Sequence, residues 1–175
     1  MGNPAHWGEF VIFGPRLNSF EKTLVNNVRK HGCHINIVSP DEGDDAPSFA
    51  YSVGFPETVG QPEVIVFGLP SDLKGAMINE ALRMCRDGLQ LADGAEIDGL
   101  LAGHAVIARD VADAFLVPEY FNSALWYARH KGREPMRAVQ LVWPDPEDGL
   151  FPWQTGFSEL ARGWQPELYE QGLNS

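Results

Sequence analysis

Phe49-Ala-Tyr-Ser-Val-Gly-Phe-Pro-Glu-Thr-Val-Gly-Gln-Pro-Glu-Val-Ile-Val-Phe-Gly-Leu-Pro70 is the densest run of strand-forming residues in the chain. It reads as two adjacent strands at the centre of one domain, joined by a connection marked by Pro56 and Gly60. In the first strand Phe49, Tyr51 and Val53 share a face, and Ala50, Ser52 and Gly54 share the other. That second face is all small, so a helix, another backbone or a flat ligand can approach closely. The second strand, from Glu63, is apolar on both faces after its first residue, as in a central strand covered twice. Glu63 is the odd residue there. A carboxylate at a buried strand end needs a partner, and the simpler expectation is that it points to solvent.

Moving outward, Phe20, Leu24, Val25 and Val28 recur at helical spacing between an Asn18/Ser19 cap and Gly32. His31 suits the last turn of that helix. Cys33-His-Ile-Asn-Ile-Val38 alternates as a strand with one covered face, so Cys33 reads as core. Its neighbour His34 points the opposite way, which argues against a Cys/His dyad. Pro40–Pro47 is an acidic loop whose spacing matches no calcium loop. Leu73, Met77, Ile78, Ala81, Leu82 and Cys85 define a helix over 71–87, with Asn79 at the border of its stripe. Residues 89–103 fit a short strand, a turn at Asp93-Gly94 and a second short strand. His104–Arg109 follows as a further strand, Pro118 opens a helix to about Lys131, and Met136–Trp143 is the last strand. Gln140 is a polar residue on an otherwise apolar face there and must find a partner.

These elements predict an α+β fold: one domain with a mostly antiparallel central sheet of about five to six strands and two or three packed helices. The expected limits are an N-terminal arm over 1–16, the domain over 17–157, and an irregular C-terminal tail over 158–175. Phe10–Phe13 in the arm reads as a short strand or a contact for another subunit. A loop rich in aromatics, with Phe151, Trp153 and Phe157, must pack on something.

Composition narrows the partners. The formal charge is −11 over 175 residues, which disfavours nucleic acid and anionic membranes. No apolar run has the length to cross a bilayer and no secretory leader is seen. Two cysteines imply no disulfide framework, so a cytoplasmic location is expected. None of the five histidines has metal-binding spacing, so no metal is expected, and no nucleotide-binding or nucleophile-elbow motif occurs.

Phe49-Ala-Tyr-Ser-Val-Gly-Phe, Pro62-Glu-Val-Ile-Val-Phe-Gly-Leu-Pro, Val142-Trp-Pro-Asp and Phe151-Pro-Trp together resemble a widespread bacterial family labelled only as a domain of unknown function. Its members read F-A-Y-T-(V/I)-G-L, then G-x-P-E-(L/I), then V-W-P-D and a P-W pair. The match spans about residues 17–157. Ser52 stands where Thr is usual, and Phe55 where Leu is usual. The resemblance implies a compact domain and no established activity. It makes Tyr51, Ser52, Glu63, Gln140, Trp143, Asp145 and Trp153 the first candidates for a shared site, unless they are the framework of the fold.

Three functions fit these observations. A small-molecule-binding or accessory domain would use Tyr51, Ser52, Asn79, Gln140, Trp143 and Trp153, with the aromatics stacking on a flat ligand. A flavin enters here only through a loose outline likeness to flavin-binding split barrels, and fold analogy carries no function. A hydrolase or transferase would use Glu63 or Asp145 as general base, with Tyr51 or His104 as acid or orienting group. A structural protein would use its N-terminal arm to form a homo-oligomer or hold a protein partner.

Overall fold

In the computed structural model, which describes residues 14–172, six strands form one mixed sheet. They are β1 (His34–Val38), β2 (Phe49–Val53), β3 (Glu63–Phe67), β4 (Glu96–Leu101), β5 (His104–Asp110) and β6 (Ala138–Val142). Their spatial order is β1-β2-β3-β6-β5-β4. All neighbours are antiparallel except β3 and β6, which run parallel at the middle. The expected α+β single domain is thus the observed one. The Phe10–Phe13 segment lies outside the described residues.

Five helices accompany the sheet: α1 (Ser19–His31), α2 (Phe55–Val59), α3 (Ser71–Arg86), α4 (Pro118–His130) and α5 (Glu159–Trp164). α1 begins where its cap demands. Asn18 accepts from the Glu21 amide, and the Glu21 carboxylate accepts from the Asn18 amide, a reciprocal pair that satisfies two otherwise free donors. Gly32, at φ 92°, ends it.

The sheet is covered on both faces. On one, α3 lays Met77, Ile78, Ala81 and Leu82 on Ala50, Val64, Val66, Val139 and Leu141. The small face of β2 is therefore filled by a helix. On the other, Leu24 and Val28 of α1 and Phe121, Ala124 and Tyr127 of α4 cover Tyr51, Val53, Ile65 and Phe67. Every residue of β2, β3 and β6 is buried. Each large apolar side chain removed from water in this way contributes about 1.5–3 kcal/mol.

Three expectations are corrected. The connection 55–62 contains the short helix α2, started by Gly54 and stopped by Gly60. The 89–103 segment has no strand before Asp93-Gly94; the hairpin turn joins Leu101 to His104 instead. Asp93 serves as an acceptor, taking the Arg109 Nε–H at 2.9 Å and the Asp110 amide at 2.8 Å. The segment from Ser158, expected to be irregular, opens with α5, capped by the Ser158 hydroxyl. Beyond α5 the chain is bound to β6, because Gln140 donates to Pro166 O (2.8 Å) and accepts from the Leu168 amide (3.0 Å). That is the partner the Gln140 side chain required.

Candidate functional site

Glu63 is buried, contrary to the expectation that a strand-end carboxylate would face water. Burial of a carboxylate is tolerable only with donors around it, and three are present. The Ser52 hydroxyl lies 2.5 Å from Oε2, the Gly54 amide donates to Oε1 at 2.7 Å, and the Phe55 amide donates to Oε2 at 3.3 Å. Ser52 Oγ in turn accepts the Val64 amide at 2.9 Å. One acid thus ties the end of β2, the start of α2 and the start of β3. Gly54 is required at that corner. It adopts φ 109°, and a Cβ there would lie 2.6 Å from Val28 Cγ1 of α1. Loss of solvent outweighs the three hydrogen bonds, so the Glu63 carboxyl is pushed up from 4.5 to about 7.

Glu63 forms part of the floor of a cavity of about 330 Å³. Three stretches enclose it: Pro56, Glu57 and Gly60 of α2 and its end, Tyr127 and Ala128 of α4, and Arg133–Arg137 leading into β6. Pro56, Pro62, Pro135 and Met136 give it apolar walls. On the wall the Tyr127 hydroxyl donates to Glu57 Oε2 at 2.6 Å, and Lys131 Nζ stands 3.5 Å from Oε1. The tyrosine bond, helped by the charges of Lys131 and Arg133, holds the Glu57 carboxyl below its ordinary range. The Tyr127 hydroxyl is pushed up by burial and by that same carboxylate. Arg133 and Arg137 line the opening, Arg137 reaching Asp110 at 3.7 Å. Both arginines are exposed, and Arg137 is paired with Asp110 outside the cavity.

Of the residues expected from sequence, Ser52 and Glu63 meet here. The others are dispersed. Tyr51 packs on the α1/α4 face, and its hydroxyl accepts the Ser123 amide at 3.1 Å. Trp143 belongs to the opposite, α3-covered face and donates Nε1–H to Phe67 O at 2.9 Å. Trp153 stacks on Phe151 and lies beside the Arg109 guanidinium. Tyr51, Trp143 and Trp153 therefore do not line one concave wall. Asn79 is exposed on α3. His104 opens β5 beside the β4 edge. Asp145 accepts the Glu147 amide at 2.9 Å, closing a local turn. Neither adjoins Glu63; Tyr51 faces α1 and α4, Gln140 holds the segment after α5, and Asp145 lies in the turn after β6.

Sequence reasoning passed over Glu57, Tyr127, Arg133 and Arg137. Local sequence carries little signal for them: Glu57 lies inside the unread helix α2, Tyr127 flanks the apolar stripe of α4, and Arg133 and Arg137 lie in the connection before β6. Cys33 proves to be a core thiol, raised to about 11 chiefly by burial. His34 turns instead to Asn27 (2.9 Å) and Asn36 (3.2 Å). Among the described residues no cluster of three His, Cys, Asp or Glu side chains has metal-holding geometry. None of their helices is long and apolar enough to cross a membrane.

The region around this corner falls within a known family. A family model described as "Domain of unknown function (DUF4262)" covers residues 27–158. The chain belongs to this family. No curated protein and no solved structure matches it. The matched DUF4262 region contains the whole Ser52–Glu63 network and every residue of the cavity wall.

Proposed function

We propose that this DUF4262 chain is a small-molecule-binding domain whose site is the cavity above Glu63, and that its ligand is a small organic acid. The carrying observation is that Arg133 and Arg137 both line one cavity in a chain of net charge −11. Two guanidinium groups at a partly apolar cavity suit a carboxylate or phosphate, which they hold through paired N–H donors. The Glu57 carboxylate at the same wall excludes a second anion and favours a hydroxyl or amine on the ligand. Pro56, Pro62, Pro135 and Met136 suit a compact apolar body between those polar ends. A volume of about 330 Å³ lies at the lower end of the range for small-molecule sites.

The test is a thermal-shift screen of carboxylic and phosphorylated acids, with and without a hydroxyl or amine. A binding acid raises the midpoint of the wild-type protein by mass action. The Arg133→Ala/Arg137→Ala double variant should lose that shift, while His130→Ala, altered at the C-terminal end of α4, should keep it. An equal shift in all three proteins, or none in the wild type with any acid, contradicts the proposal.

A second reading is catalysis. Its support is a carboxyl in the cavity floor that titrates at about 7, the range of a general acid–base group at neutral pH. A bell-shaped or sigmoid activity profile with a limb near 7, abolished in Glu63→Gln, would establish it. An activity that persists in a folded Glu63→Gln variant would exclude Glu63 from the chemistry.

A further inference from the structure

A second concavity, of about 490 Å³, lies on another side of the molecule, between α5 and the turn that follows β6. Trp143, Leu69 and Ala161 form its base. Above them Leu160 and Trp164, one helical turn apart on α5, are 77% and 52% exposed. These are the largest exposures among the large apolar side chains of the described residues, and they sit side by side. Gly68 lets α5 approach the end of β3 closely, since a Cβ there would clash with the Trp164 carbonyl. The apolar pair is thus carried on a helix packed against the sheet end.

The rim has one sign of charge. The exposed Glu147 and Asp148 line it above the buried Asp145, and no Lys, Arg or His does. Charge decides among the possible occupants. A second copy of this chain brings a surface of net charge −11 to an acidic rim. The chain's own residues 1–13 contain a glutamate and neither Lys nor Arg. A segment with an apolar side chain flanked by Lys or Arg complements both features, filling the groove and pairing with the rim.

We propose that the groove between α5 and the 145–148 turn docks a basic amphipathic polypeptide segment, with Leu160 and Trp164 as the apolar anchors. This surface is separate from the acid-binding cavity and stands or falls independently of it.

The test is fluorescence anisotropy with labelled synthetic peptides of equal length: an amphipathic Lys/Leu peptide, a Glu/Leu peptide and a Lys/Ser peptide. The full chain should bind the Lys/Leu peptide at least about tenfold more tightly than either other. Leu160→Ser/Trp164→Ala should weaken that binding by about tenfold or more, as expected when a central apolar anchor is truncated. Glu147→Lys/Asp148→Lys leaves α5 untouched and should shift preference toward the Glu/Leu peptide. Equal binding of the Lys/Leu and Lys/Ser peptides would overturn the proposal, because only diffuse charge would be at work. Unchanged binding in both double variants, or no binding of the Lys/Leu peptide, would overturn it as well. So would binding that appears only after residues 1–13 are deleted, which would show the groove already occupied by the chain itself.

Discussion

Two glutamates adjoin the same cavity and are held in opposite states. Glu63, in the floor, has lost its water and is raised to about 7 despite three donors. Glu57, on the wall, keeps a third of its side chain exposed and is lowered by the Tyr127 hydroxyl and nearby cations. Both accept short hydrogen bonds from hydroxyl groups, 2.5 Å and 2.6 Å long. Hydrogen bonding is therefore not what separates them. Access to water is, together with the positive charge of Lys131 and Arg133 on one side only. At neutral pH the site thus offers a fixed anion at its rim and a group able to take or give a proton beneath it.

The largest effect is expected at Glu63. Glu63→Ala leaves the Gly54 and Phe55 amides and the Ser52 hydroxyl buried without their acceptor, and should cost roughly 3 kcal/mol in urea unfolding. A loss below about 1 kcal/mol would mean that water reaches these groups.

The pH dependence sharpens the contrast by sign. Glu63 is raised when folded, so the native state holds the extra proton between about 4.5 and about 7. Its contribution is complete below 4.5 and is lost as pH rises through 7, a change of about 3 kcal/mol relative to Glu63→Gln. Glu57 is lowered when folded, so its contribution is present above 4.5 and is lost as pH falls through its folded value. Opposite slopes in the two windows are the expected result, read from urea midpoints of wild type, Glu63→Gln and Glu57→Gln.

Smaller effects follow. Ser52→Ala leaves Glu63 Oε2 with only the longer Phe55 bond and strands the Val64 amide, for about 1–2 kcal/mol. Tyr127→Phe should move the Glu57 carboxyl back up toward its ordinary value, seen by NMR titration, while Glu63 stays raised.

The framework of the sheet was legible because its residues obey a period. β2, β3 and β6 are apolar but for one polar residue each, Ser52, Glu63 and Gln140, and α1, α3 and α4 carry stripes at helical spacing. α2 was not legible, since five residues are too few to show a period. The turn at Asp93-Gly94 is present and leads into β4, but no strand precedes it, because Asp93 accepts from Arg109 and the Asp110 amide instead of opening a hairpin. The site was half legible. Ser52 and Glu63 stand out within the central stretch, but their contact depends on how two strands and a corner glycine meet. Tyr127 and Glu57 are 70 residues apart, and nothing local to either announces the other. Tyr51 and Trp143 looked like partners by type, yet strand alternation and the sheet order put them on opposite faces.

The most direct measurement is a carbon-13 NMR titration of the Glu63 and Glu57 side-chain carboxyls in one sample of the full chain. Glu63 titrating near 7 while Glu57 titrates below 4.5 is the result this structure predicts. Both carboxyls titrating together near 4.5, or Glu63 below Glu57, would contradict a desolvated floor beneath an ionised wall.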